Sequence, residues 1–512
     1  MLSRVHSALL VGIDAHPCEV EVDLDPSGLD QQGVVGLPDA AVRESLQRVR
    51  AALQNAGYPF PVGKTLINLA PADVRKEGPM YDLPIAAGLL LAQQVIGAGA
   101  ASGGLDPRTT VLAGELSLDG RVRPIRGALS IADRARSDGM RSVIVPSDNA
   151  PEAAVVEGID VFGVSTIAEV VGLMGGELEP EPMPPADVAS LVTQAEPEVD
   201  FADVKGQEGA KRALMIAAAG AHNLLMLGPA GSGKTMMARA LPGILPPLSP
   251  GEAIEVTRVH SAATQAGGGP GLVTTRPVRT PHHTASSAAI VGGGAVPRPG
   301  EVSLAHLGVL FLDELPEFPR GVLETLRQPL EDGVVTIARA SGTVRFPARF
   351  MLVAAMNPTP KGDLPAGEQG RRDMERYLSK LSGPLLDRID LHVEAPRVAW
   401  KELGGPRGGL STAEMRDSVL RARRVAEGRQ GPGRPNASLS GRELDAMSGI
   451  DDDATALLGQ AIESLGLSAR AYDKIRRSSR TIADLAGSTG VTIEHVAEAV
   501  QYRLLDRRLS SV

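Results

Sequence analysis

Residues 223–227 read NLLML and run directly into GPAGSGKT at residues 228–235. An apolar stretch, a glycine-rich turn, then Lys and a hydroxyl leave little freedom: a buried strand must end in a tight loop that opens a helix. The residue types match what a phosphate chain requires. Gly228, Gly231 and Gly233 let consecutive backbone N–H groups turn inward, with Pro229, Ala230 and Ser232 completing the loop. Lys234 can reach the β and γ oxygens of a triphosphate, and Thr235 offers a hydroxyl to Mg²⁺. The plainer alternative is an ordinary strand-to-helix turn. The apolar residues on both sides, NLLML before and MMARAL after, favour the phosphate loop.

Composition limits where such a site can operate. A chain of 512 residues holds about three domains. With 43 % hydrophobic and 22 % charged residues and no long apolar run, it reads as soluble, not membrane-bound, and by default cytoplasmic. The opening MLSRVHSALLVGID reads as a first strand, because acids follow and no small-residue cleavage site is evident. Cys18 is the only cysteine, which excludes an internal disulfide and a cysteine-based zinc site. A net charge of −9 confines any contact with nucleic acid to a local patch.

Two breaks divide the chain. Residues 177–200 are rich in Pro and Glu and lack apolar periodicity, so they read as a linker after a first domain at 1–176. KELGGPRGGL at 401–410 ends a central unit at 201–400, beyond which 401–512 is patterned as helices. No solenoid period is visible.

GVLFLDELPEF at 308–318 is a buried strand that delivers Asp313 and Glu314 to its carboxyl edge. Alone, these read more simply as two solvated acids. After a phosphate loop, Asp313 is placed to hold Mg²⁺ and Glu314 to polarise an attacking water. FMLVAAMNP ends a third strand at Asn357, whose amide can position the same water, although an Asn-Pro turn explains it too. Three strands ending in such groups set the site at the edge of a parallel sheet in an α/β fold.

In chain order, GPAGSGKT, LFLDEL, AAMNP and LLDRIDL resemble Walker A, Walker B, sensor 1 and the arginine-finger segment of an AAA+ ATPase. RPVRTPHHTASSAAIVGGGAVPRPGEVSLAHLGVLFLDELPEF and LSGPLLDRIDLHVE resemble more narrowly the ComM (YifB) family of magnesium-chelatase-like AAA+ proteins, and the likeness runs along almost the whole chain. The resemblance implies an AAA+ P-loop α/β core followed by a C-terminal helical lid. It also implies a homo-oligomeric ring, usually a hexamer, that binds ATP and Mg²⁺ at subunit interfaces. Arg388 would enter the neighbouring subunit's site, and Arg470 in LSARAYDKI would be the sensor 2 arginine. Without that context Arg388 would pair locally with Asp387 or Asp390, and Arg470, Lys474, Arg476, Arg477 and Arg480 would form a solvated basic helix face.

Lys234 and Asp313 are 79 residues apart, leaving room for an insertion. Residues 256–300 contain no acid but hold Arg258, Arg276, Arg279, Arg298 and three histidines, which suggests a polyanion contact at Arg276 and Arg279 or, more plainly, a surface loop. His282 and His283 are adjacent and lack evident partner ligands, so no transition metal is assigned. VVTIARASGTVRFPA at 334–348 alternates like a hairpin and resembles the presensor-1 hairpin of MCM-type helicases. Arg339 and Arg345 there could grip a phosphate backbone without reading bases, or could be exposed hairpin arginines.

Many relatives carry a cysteine cluster after sensor 1, whereas here NPTPKGDLPAGEQGRRDMERYL has none, so zinc is not expected. The first domain resembles the Lon-protease-like domain with an S5-type (S5 domain 2-like) α/β fold. Where the nucleophilic serine would follow Gly78 and Pro79 stand Met80, Tyr81 and Asp82, and where the lysine would lie stand Ala128, Leu129 and Ser130. No peptidase activity is expected.

The family resemblance implies a ring motor acting on single-stranded or branched DNA without sequence preference. It points to a branch-migration helicase that promotes recombination or integration of transforming DNA, with recombination proteins as further partners. A metal-insertion ATPase of the magnesium-chelatase kind and a protein-remodelling ATPase are the alternatives.

Overall fold

The computed structural model describes the chain except residues 30, 98–102, 194, 195, 197, 264–270, 295, 296, 340, 341, 360–376, 378, 379, 399–408 and 504–512. The chain divides into two units, Met1–Leu191 with Ser249–Thr274, and Val192–Leu248 with Thr275–Val512.

In the first unit, β1 (Leu2–Val11) pairs antiparallel along its whole length with β2 (Asp14–Asp25) around a two-residue turn, where Gly12 takes a φ of 69°. β3 (Gln32–Val35), β4 (Lys64–Ala70), β5 (Thr110–Leu112), the small hairpin of β6 (Glu115–Leu116) and β7 (Val122–Arg123), β8 (Ser142–Pro146) and β9 (Asp160–Val164) follow. All but the small hairpin join one sheet in the order β3-β4-β2-β1-β5-β8-β9. Cys18, Val20, Val22 and Leu24 alternate inward along β2, against the helix Asp82–Ala92, which is apolar after Asp82. Asp82, at a position that a Lon-type site would give to its nucleophile's neighbourhood, is buried. Its carboxylate accepts from Arg48 Nε at 2.9 Å, Arg48 Nη2 at 3.0 Å and the Leu116 N–H at 3.2 Å. Ser130 is buried and donates to the Ile13 carbonyl at 2.7 Å.

Two features of this unit differ from the sequence expectation. The Pro/Glu-rich stretch is not a free tether over its first part. Met183 N–H donates to the Val161 carbonyl at 2.7 Å and Ala186 N–H to Ala154 at 3.1 Å, so extended, proline-rich backbone covers the β9 edge of the sheet. The helix Pro250–Ala263, whose second half opens the acid-free excursion, also groups with this unit. Ser261 Oγ accepts from the Gly127 N–H at 2.9 Å, and Arg258 pairs with Asp14 at 2.7 Å.

The second unit carries β10 (Leu224–Leu227), β11 (Val278–Arg279), a hairpin of β12 (Gly292–Gly293) and β13 (Arg298–Pro299), β14 (Val309–Leu312), a hairpin of β15 (Val334–Arg339) and β16 (Gly342–Pro347), β17 (Met351–Met356) and β18 (Leu391–Glu394). Its main sheet is parallel throughout, in the order β11-β14-β17-β10-β18. The three central strands β14, β17 and β10 are continuous apolar runs because both faces are covered. Helices Thr412–Gln430, Asp452–Leu465, Ala469–Leu485 and Ile493–Gln501 share one apolar core with this sheet, through Val419, Leu458, Ile475, Ile482 and Val496 packed with Leu224, Met226 and Val353.

The helix Ala469–Leu485 corrects the reading of a solvated basic face. Arg470 is exposed, but Lys474, Arg476 and Arg480 are buried and each meets a carboxylate, at Asp390, Asp445 and Asp484 respectively. A buried cation persists only with such partners.

Candidate functional site

Everything at the candidate site belongs to the second unit. β10 ends at Leu227, and Gly228 follows where a Cβ would collide with the Ala395 carbonyl. Gly231 and Gly233 take φ values of 77° and 91°, which residues with side chains rarely adopt. The chain then enters the helix Lys234–Ala240.

Lys234 is buried. Its ammonium donates to the carbonyls of Gly228 at 2.7 Å and Pro229 at 2.8 Å, and to Asn357 Oδ1 at 3.2 Å. Burial pushes its pKa down, an effect that Asp313 partly opposes. Thr235 Oγ1 donates to Asp313 Oδ2 at 2.7 Å, and Asp313 Oδ1 accepts from the Glu314 N–H at 2.9 Å. Glu314 itself holds a left-handed backbone, φ 52° and ψ 46°, at the carboxyl end of β14. Such a conformation in a non-glycine residue is strained and concentrates at functional positions. These groups line a pocket of about 360 Å³ bounded by Ala230 to Met236, Asp313, Glu314 and Asn357. The Thr235 hydroxyl and the Asp313 carboxylate are hard oxygen donors converging at its wall, which suits Mg²⁺. Among the described residues no three His, Cys, Asp or Glu side chains gather as a metal site.

The structure thus brings together the phosphate loop, Asp313, Glu314 and Asn357. Arg388 and Arg470 do not line this pocket. The Arg388 guanidinium instead pairs with Glu331 and donates to the Pro384 carbonyl at 2.6 Å, not with Asp387 or Asp390. Arg470 also adds to the positive field that holds the Glu331 carboxyl below its usual range, behind the larger effect of Arg388.

Two expected nucleic-acid contacts, Arg276 and Arg279, have partners within the chain. Arg276 donates to the carbonyls of Pro246 at 2.6 Å, Leu307 at 2.7 Å and Pro247 at 3.2 Å, while Arg279 forms a two-pronged pair with Glu301 at 2.6 and 2.9 Å. Both guanidiniums secure the loop that holds them. Arg339 and Arg345 are exposed on the β15–β16 hairpin, Arg339 opposite Gly342 beside the turn and Arg345 opposite Thr336. The loop after Asn357, expected to lack zinc, falls mostly at residues 360–376, outside the described residues.

The sequence assigns His283 no metal and no other role. In the structure its Nδ1 lies 3.5 Å from Glu314 Oε2, with its ring 4.1 Å from that of His282 and edge-on to Phe318 at 6.4 Å. Gln207 was also missed. Its amide donates to the Ser232 carbonyl at 3.0 Å and to Pro396 at 2.6 Å, supporting the loop from behind. A signal for His283 was available: the adjacent histidines stand a few residues beyond the short strand that pairs with the acid-bearing one.

Residues 200–403 match the family model for magnesium chelatase, subunit ChlI, residues 20–149 match that for subunit ChlI of Mg-chelatase, and residues 409–503 match its C-terminal region. The fold and pocket therefore define a magnesium-chelatase-like AAA+ protein. Competence protein ComM of Haemophilus influenzae is 42 % identical over 100 % of this chain and 99 % of its own length. YifB of Escherichia coli is 42 % identical over 99 % of this chain and 98 % of its own. The 38 kDa magnesium-chelatase subunit of Rhodobacter capsulatus is 26 % identical over 61 % of this chain and 88 % of its own. The chain belongs to the ComM/YifB family of magnesium-chelatase-like proteins.

Proposed function

We propose that this protein hydrolyses ATP in a homo-oligomeric ring, most simply a hexamer, and uses the energy to move DNA, driving branch migration in recombination or in the integration of transforming DNA. The observation that carries the reading is the incomplete pocket. Lys234, Thr235, Asp313, Glu314 and Asn357 converge on it, while the two candidate arginines stand apart from it around Glu331. A neighbouring subunit that supplied Arg388 would complete the site, with a gain in rate of about 10³-fold or more.

Each residue then has a task. The loop N–H groups and Lys234 hold the phosphates, exchanging the ammonium's bonds to Gly228 and Pro229 for phosphate oxygens. Thr235 and Asp313 would hold Mg²⁺, which neutralises phosphate charge when bound with the nucleotide. Glu314 polarises water, and Asn357, joined to Lys234, orients it. The name of the 42 % identical relative, a competence protein, supports DNA as the cargo, as do the exposed hairpin arginines Arg339 and Arg345. The first unit serves as a scaffold without peptidase activity, a reading supported by Asp82 and Ser130 being tied into structural bonds.

A metal-insertion role is the second reading, favoured by the likeness to the chelatase subunit. ATPase rates measured with single-stranded DNA, double-stranded DNA and no polymer separate the two. The proposal requires stimulation by DNA that is lost in Lys234→Ala, and a rate indifferent to both polymers would count against it.

A further inference from the structure

The turn that carries Arg388 is fastened by side chains at three consecutive carbonyls. Asn223 Nδ2 donates to the Arg388 carbonyl at 3.0 Å. Lys474 Nζ and Arg503 Nη1 donate to that of Ile389 at 3.1 and 2.6 Å, and Arg503 Nη1 also reaches Asp390 at 3.1 Å. The Asp390 carboxylate, itself buried, accepts from the Asn223 N–H at 2.9 Å and meets Lys474 Nζ at 3.2 Å. Asn223 in turn accepts from the Leu352 N–H at 2.8 Å, at the start of the strand whose other end leads to Asn357.

A buried ion pair is a poor way to gain stability, because desolvating two charges offsets most of their attraction and apolar residues of similar volume often hold as well. What a pair bonded to neighbouring carbonyls does supply is a single geometry. Lys474 lies one turn beyond Arg470 on the helix Ala469–Leu485, and both Arg470 and Arg388 act on Glu331.

We propose that Lys474 is a positioning residue for catalysis between subunits: through Asp390 and the Ile389 carbonyl it locks the Arg388 turn to the helix Ala469–Leu485 of its own subunit, so that the helix sets where Arg388 is presented to the neighbour. This rests on the reading that Arg388 acts on a neighbouring site.

The test uses the full chain and the variant Lys474→Gln/Asp390→Asn, which removes both charges and keeps hydrogen-bonding groups of similar size. Its kcat for ATP hydrolysis should fall about 10- to 100-fold, the range expected when a catalytic group is misplaced by about 1 Å, with KM within about twofold. Mixing with an excess of Glu314→Gln subunits, which cannot hydrolyse but carry an intact Arg388 turn, should restore at least fivefold of the lost rate. Arg388→Ala mixed in the same way is the parallel arm. If Arg388→Ala is rescued and the Lys474 variant is not, the clasp is refuted while Arg388 in trans stands. If neither is rescued, both ideas fail, and a variant with wild-type kcat refutes the clasp outright. Should the double variant not assemble, Asp390→Asn alone, which removes the ion pair and keeps the Lys474 bond to Ile389, must still lower kcat and be rescued in the same way.

Discussion

Acidification from pH 7 to pH 5 should weaken the second unit by about 2 kcal/mol through one residue, His222. Its ring is fully buried against Gly220, where a Cβ would collide with Nε2. Nε2 meets Thr481 Oγ1 at 2.8 Å, and Nδ1 stands 3.9 Å from Asp390 Oδ2. Burial pushes its pKa from the ordinary 6.5 down to about 4, against the opposing pull of Asp390 and with help from Arg477, Arg423 and Lys474. The folded-state value is depressed, so between about pH 6.5 and pH 4 the unfolded chain binds the proton that the folded chain refuses, and stability falls as pH falls. At pH 5 the linkage amounts to about 2 kcal/mol, rising to about 3 kcal/mol at lower pH. Asp390 is held below its usual range by Lys474, His222 and the Asn223 N–H despite its burial, so its own contribution is lost only in more acid solution. Peptide-resolved hydrogen exchange at Leu224–Leu227 and Ala469–Leu485, corrected for intrinsic rates, isolates this unit from the rest of the chain. His222→Gln should flatten the loss of protection between pH 7 and pH 5. Equal losses in wild type and variant would show that His222 is not the titrating group.

Other outcomes follow from the same structure. Glu314→Gln should keep ATP affinity within a few-fold while kcat drops about 10²-fold or more, whereas a matching loss of affinity would argue against its role with water. Arg480→Met should destabilise the second unit by about 3–5 kcal/mol in denaturant titrations, because Asp484 loses a partner at 2.9 Å and the carbonyls of Ser448, Thr489 and Ser488 lose their donor; a change below about 1 kcal/mol contradicts this. Arg339→Ala should weaken DNA binding and lower the salt-dependence slope by about 0.7–0.9, while Arg279→Ala should leave that slope unchanged and reduce stability instead.

The candidate pocket was legible in the sequence because each of its parts ends a strand. Four apolar residues followed by GPAGSGKT, DE or NP place their polar groups at one sheet edge whatever the order of the strands. Contacts across long separations were not legible. Lys474 meets Ile389 from 85 positions away and Arg388 meets Glu331 from 57, and no local pattern encodes either. The basic helix Ala469–Leu485 offered a solvated face as an alternative reading because its carboxylate partners Asp390 and Asp445 lie on other segments. The partners of Arg276 and Arg279 were hidden for a related reason. The stretch 256–300 has no acid, but Glu301 stands just past its end and takes Arg279, and Asp14 takes Arg258. Charge counted along a window is not charge in space.

Movement of DNA at the expense of ATP is the central property proposed for this protein. Labelled branched DNA incubated with the protein, Mg²⁺ and ATP should yield strand-exchanged product that is absent with Lys234→Ala or without ATP. Hydrolysis of ATP under the same conditions with no exchanged product would contradict it.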